Sequence, residues 1–356
     1  MAARCPLKEL RPQRLALIKP SALGDIVHTL PVLTALRRRF PQTHLSWIVH
    51  RAYAPLLEGH PDLDAVVPFD RSALQKGWLS ACRAGLRFAA HLAQQQFDVV
   101  LDLQGLLRSG LMAWATGAPR RIGLADSREG AHLFYTDRIA EPGRTALHAV
   151  DRYWLAAEAL GASGPKTFRL PIAPSAADWA TSVLGNWPRP YVMVSVGSRW
   201  LTKRWPPAHF AEVIRRVQAH FGGTAVFLGG ADEANLAQIT RQRLGGPVVD
   251  LTGRTTLPQL AAVLARCDVM LANDTGPLHL AVALGRPVVA PYTCTRAFRT
   301  GPYEQSARVV ETKVWCAGSY RKRCSRLECM AELTPDRLWP VLREVLQAWR
   351  QPSKSA

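Results

Sequence analysis

The sequence predicts an α/β protein of two similar halves, each a parallel sheet with helices, facing each other across a cleft. Three observations carry this reading. The 356 residues amount to about two domains at ~150 residues each. Short β-rich runs alternate with amphipathic stretches, the rhythm of parallel α/β sheets. That rhythm breaks at a Pro-rich stretch from Gly161 to Pro174 and then restarts. The halves are placed at 1–173 and 174–335, and residues 336–356 are read as a C-terminal helix and tail packing back towards the first half.

In the first half, Leu15–Ile18 is a strand that runs into Ser21-Ala22-Leu23-Gly24-Asp25. Behind it, Ile26, Leu30, Leu33, Leu36 and Phe40 recur at near-helical spacing. Pro31 either kinks that helix or marks its first turn. Leu45–Val49, Ala65–Phe69 and Val99–Leu103 are further strands. In the second half, Tyr191–Val196 ends at Gly197-Ser198, and Phe210, Val213, Ile214, Val217 and Phe221 form a helical stripe. Ala225–Leu228 ends at Gly229-Gly230, Val248–Leu251 at Thr252-Gly253, and Val269–Ala272 at Asn273-Asp274-Thr275-Gly276; Val288–Ala290 follows. One such turn is ordinary punctuation between strand and helix. Four in one half point to a ligand cleft at the carboxyl ends of the strands, where helix N-termini aim free N–H groups inward.

Composition narrows the partner. A hydrophobic share of 48% with 20% charged residues is that of a globular chain, not a disordered one. No run approaches the ~18 to 20 apolar residues of a membrane span. The N-terminus lacks the apolar core of a secretory signal, and seven cysteines without framework spacing fit a reducing cytoplasm. Lys and Arg number 45 against 27 Asp and Glu, a net +18, so the partner is anionic: nucleic acid, an acidic membrane surface or a phosphorylated substrate.

Several motifs could meet such a partner. In Asn273-Asp274-Thr275-Gly276-Pro277-Leu278-His279, Pro277 suits the first helical turn and Thr275 or Gly276 the cap. The helix end could then hold a diphosphate, and Asp274 either accepts hydrogen bonds from sugar hydroxyls or simply caps the helix. Gly197 to Pro206 places Arg199, Lys203 and Arg204 just past a strand, where they could neutralise a leaving diphosphate or form a solvated basic loop. Gly229-Gly230-Ala231-Asp232-Glu233 sets carboxylates after a glycine turn, suited to ribose hydroxyls or to a helix's first turn. At the tip of the first strand, Asp25 could act as a general base or simply cap the helix, with His28 as a rival base or a structural histidine. Neither a P-loop nor a G-x-G-x-x-G fingerprint occurs. Asp62-Leu63-Asp64 is a lone D-x-D of the kind expected by chance. Cys316, Cys324 and Cys329, with Cys294 as a conceivable fourth ligand, lack the tight pairs of a zinc site.

The stretch Lys19-Pro20-Ser21-Ala22-Leu23-Gly24-Asp25-Ile26-Val27-His28-Thr29-Leu30-Pro31 resembles the K-x-S-x-x-G-D-x-x-H-T-L-P element of the bacterial heptosyltransferases of glycosyltransferase family 9. Asp274-Thr275-Gly276-Pro277-Leu278-His279 looks like the family's D-T-G-x-x-H, and Lys203-Arg204-Trp205-Pro206 like its K-x-W-P. The resemblance runs from about residue 14 to 335 and is closest to the branch that adds the first heptose of the lipopolysaccharide core. The segment after residue 313, with its cysteines, looks more like other branches. The resemblance implies a GT-B fold, two Rossmann-like domains with the site between them, and no required metal or cofactor. It implies inverting transfer of L-glycero-D-manno-heptose from ADP-heptose to Kdo on lipid A. By the same resemblance Asp25 is the catalytic base and Lys203 neutralises the diphosphate. Ser198 and Arg199 lie where phosphate is contacted, although threonine is common where Arg199 stands. Glu233 matches the ribose-binding carboxylate. Asp274, Thr275, Gly276 and His279 match heptose and diphosphate contacts. Ser21 and Gly24 belong to the acceptor loop, and Arg108 and Arg128 match cations facing the acidic acceptor.

The expected partners are therefore ADP-heptose and an anionic Kdo–lipid A acceptor, met by a monomer peripherally bound to the inner face of the cytoplasmic membrane. Three other readings stand beside this one. The chain could be a family 9 enzyme adding a later heptose or another sugar. It could be a sugar-nucleotide epimerase of the same architecture, which would not need a basic acceptor surface. It could be a basic nucleic-acid-binding protein, though its cations sit in short scattered groups without a recognition signature.

Overall fold

The computed structural model describes residues 5–70, 72, 77–140, 142 and 147–351. The chain divides after Pro171 into two compact units.

In the first unit the described strands are β1 (Arg14–Ile18), β2 (His44–His50), β3 (Ala65–Phe69), β4 (Val99–Asp102), β5 (Arg120–Leu124) and β6 (Asp137–Ile139). They pair in parallel in the order β3-β2-β1-β4-β5-β6. The helices are α1 (Leu23–Arg39), α2 (Trp78–Gln94), α3 (Leu107–Ala115) and α4 (Ala149–Ala159). The chain steps one way through β1, β2 and β3, then the other way through β4, β5 and β6. Right-handed crossovers then put α1 on one face and α2 and α3 on the other. The packing agrees: α1 lies against α4, and α2 against α3. Leu15 to Ile18 are fully buried, as a central parallel strand covered on both faces requires.

The second unit repeats this winding. Its described strands are β7 (Tyr191–Ser195), β8 (Thr224–Phe227), β9 (Val248–Asp250), β10 (Val269–Ala272), β11 (Val288–Tyr292) and β12 (Val309–Glu311), in the order β12-β11-β10-β7-β8-β9. Its helices are α5 (Pro174–Leu184), α6 (Pro207–Phe221), α7 (Ala234–Arg241), α8 (Leu257–Leu264), α9 (Gly276–Ala283), α10 (Ala297–Thr300), α11 (Glu328–Glu332) and α12 (Pro335–Arg350). The expected stripe is its core: Phe210, Val213, Ile214 and Val217 of α6 are buried beside Trp205. Both units thus have the doubly wound order with a switch point where the direction of winding reverses, between β1 and β4 and between β7 and β10.

Three features add to, decide between or differ from the sequence readings. β5, β6 and β12 are strands that the sequence reading does not include. β5 begins with Arg120-Arg121, which reads as a surface charge group, yet the Arg120 guanidinium grips Asp137 of β6 through two hydrogen bonds of 2.9 Å. β6 and β12 have three residues each, too few to show a period. Pro31 sits in the interior of α1, which continues on both sides of it. Residues 336–356 are expected to pack towards the first half, but Leu338, Leu342 and Leu346 of α12 are buried in the second unit's core, against α6 and β11. Their i, i+4, i+8 spacing makes one apolar stripe, and the second sheet supplies the surface that buries it.

Candidate functional site

The two switch points gather most, though not all, of the site residues that the sequence singled out. In the first unit, β1 delivers Ser21, Gly24 and Asp25, and its neighbour β4 delivers the loop to Arg108. Asp25 is the third residue of α1. Its Oδ2 accepts the Ala22 N–H at 3.2 Å, so it does cap the helix. Its Oδ1 accepts the Tyr153 hydroxyl at 2.9 Å and lies 3.9 Å from Lys19 Nζ. The Asp25 side chain is 40% exposed, whereas Lys19 is buried, donating to Leu103 O at 2.9 Å and to Tyr153 Oη at 2.7 Å. A carboxylate open on one side and steered from behind by a hydroxyl and an ammonium can accept a proton from a group on its open side. His28, its rival, is buried with its ring against His148.

Arg108 reaches the same loop, with its Nη2 3.5 Å from Ser21 Oγ. Arg128 is exposed after β5, and its N–H donates to Gly105 O at 2.8 Å, tying its loop to that of Arg108. The turn at Gly105 hangs on Asp102, which the sequence reading did not assign. Asp102 accepts the Gln104 and Gly105 N–H groups and the Tyr135 hydroxyl, the last at 2.6 Å. Burial pushes its carboxyl up, against these hydrogen bonds.

In the second unit, β7 delivers Ser198 to Lys203 and the adjacent β10 delivers Asp274 to His279. Lys203 Nζ lies 2.6 Å from Asp274 Oδ2, and Thr295 Oγ1 donates to the same oxygen at 2.7 Å. His279 Nε2 is 3.6 Å from Oδ1, and Ser198 Oγ donates to the Asp274 carbonyl at 3.3 Å. Burial raises the Asp274 carboxyl, but the hydrogen bond from His279 and the charge of Lys203 outweigh it and hold it well below the usual carboxylate range. The cluster stands at the N-terminus of α9, where Thr275 occupies the cap position without a side-chain cap bond and Gly276 is the first helical residue. Arg199 is exposed. Asn273, also unassigned from sequence, stitches the two loops: it accepts the Trp205 N–H at 3.1 Å and donates to Val196 O at 2.8 Å.

Glu233 follows β8. Its carboxyl lies against Gly197 and Gly229, and a Cβ on either glycine would overlap it. Burial, then the neighbouring charge of Asp232, raises its carboxyl above the ordinary value.

The remaining motifs are placed outside these clusters. Asp62 accepts from Thr34 and pairs with Arg169 at 2.9 Å, while Asp64 pairs with Arg37, so the D-x-D is structural. Cys294, Cys316, Cys324 and Cys329 line one cavity of about 520 Å³ with Thr202. Among the described residues no group of three or more ligand side chains is poised to hold a metal.

This geometry has counterparts in known proteins. A profile of glycosyltransferase family 9 (heptosyltransferase) matches residues 85–330. Lipopolysaccharide heptosyltransferase 1 of Pseudomonas aeruginosa is 31% identical over 323 residues, covering 88% of this chain and 87% of its own. A family 9 glycosyltransferase of Veillonella parvula superposes with a TM-score of 0.80 at 24% identity, over 94% of this chain and 97% of that one. Escherichia coli heptosyltransferase WaaC, solved with ADP, superposes with a TM-score of 0.72 at 27% identity, over 93% and 99%. The same enzyme has been solved with ADP-2-deoxy-2-fluoro heptose, with a TM-score of 0.69 at 25% identity over the same shares.

Proposed function

The chain belongs to glycosyltransferase family 9, the heptosyltransferases, and from that premise we propose that it transfers L-glycero-D-manno-heptose from ADP-heptose to Kdo on lipid A with inversion. The observation that carries this is the Lys203–Asp274–His279 cluster, its carboxylate and imidazole buried and its ammonium half-buried, at the N-terminus of α9, on the switch point of the second unit. An ammonium has three donors and Asp274 takes one, leaving Lys203 able to meet a diphosphate oxygen while its position is fixed. As ADP departs, that charge and the N–H groups at Thr275 and Gly276 stabilise the charge developing on the leaving diphosphate. Glu233 accepts the ribose hydroxyls, Ser198 and Arg199 contact phosphate, and Asp274 acts chiefly as the counter-ion that orients Lys203. In the first unit Asp25 removes the proton from the acceptor hydroxyl as its oxygen attacks the anomeric carbon. Ser21, Gly24, Arg108 and Arg128 hold the anionic acceptor beside it. The enzyme is proposed to work as a monomer at the cytoplasmic face of the membrane. None of its described helices is long and apolar enough to cross a membrane, and the net +18 supports adhesion to an acidic surface.

The test is to incubate the protein with ADP-heptose and a panel of Kdo–lipid A acceptors, with and without a first heptose, and to read product masses. A single added heptose on the heptose-free acceptor is expected. Product only on an acceptor that already carries heptose would place the chain at a later step of the same family.

Glu233 sets a pH dependence. Its carboxyl is raised, so it takes up a proton at a higher pH than the ordinary glutamate near 4.3. Protonation removes the charge that favours accepting two hydroxyl hydrogen bonds. ADP affinity is therefore expected to fall as pH is lowered through that raised value, and Glu233→Gln should bind ADP more weakly with a flatter profile. Calorimetric titration across pH checks both; an unchanged slope in the variant would remove Glu233 from the nucleotide site.

A further inference from the structure

The first unit carries an apolar surface that its own core does not use. In α2, seventeen residues long, Leu92 alone is fully buried. Trp78 is 74% exposed and Leu86 72%, with Leu79 beside them. The helix that packs against it, α3, exposes Leu107, Leu111 and Trp114, spaced i, i+4, i+7 on a single face. The first turns of both helices follow the carboxyl ends of β3 and β4. Trp78, Leu79 and Leu107 therefore lie at the edge of the sheet that also carries Asp25 and Arg108.

The charge on the two helices has one sign, with the carboxylate of Glu129 at the rim, where it accepts the Leu107 N–H at 3.3 Å. Residues 77–97 contain no Asp or Glu but include Arg83 and Arg87, and residues 103–125 contain no Asp or Glu either. Arg83 and Arg87 are exposed on α2 itself. Leu79, Arg83 and Leu86 share a helical face, so the guanidinium stands among the apolar groups. Basic and apolar side chains on one helix face, with aromatic residues at the end, are the composition of a helix lying in a membrane interface.

We propose that the α2–α3 face docks on an anionic lipid bilayer, setting the Asp25 edge of the sheet against the membrane. The proposal rests on the reading that the acceptor is lipid-linked, and it assigns the surface that finds it. The other occupants fit less well. A second copy would bring one net basic face, whose helices carry no carboxylate, onto another. A nucleic acid would leave exposed leucines with no partner, because phosphate contacts make no use of them. A bilayer accepts both kinds of group, with apolar chains entering between headgroups and arginines meeting phosphates.

The experiment compares the wild-type chain with the triple variant Leu79→Gln, Leu86→Gln and Trp114→Gln. All three positions are exposed and none belongs to the site, so the thermal midpoint is expected to stay close to wild type and is measured first. Wild type should sediment with vesicles of 70% phosphatidylcholine and 30% phosphatidylglycerol and much less with phosphatidylcholine alone. The variant should lose about tenfold in vesicle partition. Its turnover should fall about as much on acceptor embedded in those vesicles and stay unchanged on a delipidated, water-soluble Kdo acceptor. Equal partition of variant and wild type, or no vesicle binding by wild type, would overturn the proposal. So would a concentration-dependent dimer that the variant abolishes. Vesicle binding without transfer to either acceptor would instead overturn the catalytic reading and leave the docking surface standing.

Discussion

Asp25→Asn is expected to lower turnover by about 10²- to 10⁴-fold, the range over which a positioned base acts, with ADP affinity within about twofold of wild type. The amide keeps the size of the carboxylate. Its oxygen can still accept the Ala22 N–H or the Tyr153 hydroxyl, which the carboxylate meets at 3.2 and 2.9 Å. The start of α1 is thus preserved, and what is lost is a group able to take a proton. Two features argue that the proton is taken here. Asp25 is the residue of its cluster that opens to solvent, Lys19 being only 2% exposed. In addition, Lys19 and Tyr153 both address the side of the carboxylate at Oδ1, and their positive charge and hydroxyl stabilise it in place. Tyr153→Phe should therefore show a smaller loss, about tenfold, because it frees the carboxylate to rotate without removing it. Single-turnover rates with saturating ADP-heptose separate these cases. Turnover of Asp25→Asn within a few-fold of wild type would mean that another group, or water alone, takes the proton.

The roles of Lys19 and Tyr153 show where the sequence stops being informative. The motif at Lys19 to Pro31 is local, and the switch-point geometry follows from strand order, so the positions of Asp25, Lys203 and Asp274 at strand tips could be read from pattern alone. Tyr153 lies 128 residues from Asp25, on a helix whose apolar pattern gives no hint that one hydroxyl points at a carboxylate. Thr295 and Asn273 are of the same kind. Each is a small polar residue after a strand, indistinguishable in sequence from any loop residue until the sheet sets it beside Asp274 or Trp205. The strands β5, β6 and β12 were hidden for another reason. An edge strand of three residues carries no period, and the double arginine opening β5 is half-buried by partners that no local pattern reveals. The inward turn of the Asp274 carboxylate was also out of reach. The sequence allowed it to face sugar hydroxyls, but its two oxygens are met by Lys203, Thr295 and His279 of the protein itself.

That inward turn makes Lys203 the residue whose loss should have two separable effects. Lys203→Ala removes the closest cation from a carboxylate that is 7% exposed. Breaking a buried pair from one side typically destabilises by 3–5 kcal/mol, and because Thr295 and His279 remain, the lower end, about 3 kcal/mol, is expected. The same change removes the ammonium proposed to meet the leaving diphosphate, with an expected loss of about 10²- to 10³-fold in turnover. The pair Lys203→Ala with Asp274→Asn distinguishes the two effects. Deleting the stranded charge should recover most of the stability, so the variants are strongly non-additive in the thermal midpoint. Turnover should remain as low as in Lys203→Ala alone, because no cation has returned. The pH dependence of stability must follow. Asp274 is held below its unfolded value near 3.9, so its pairing contributes stability that is present above that value and is lost as pH falls through the folded one. The gap in stability between wild type and Lys203→Ala should accordingly be widest at neutral pH and narrow below about pH 4. If the double variant regained turnover together with stability, Lys203 would be a brace for the loop after β7 and the charge that meets the diphosphate would have to come from Arg199, Arg204 or the end of α9.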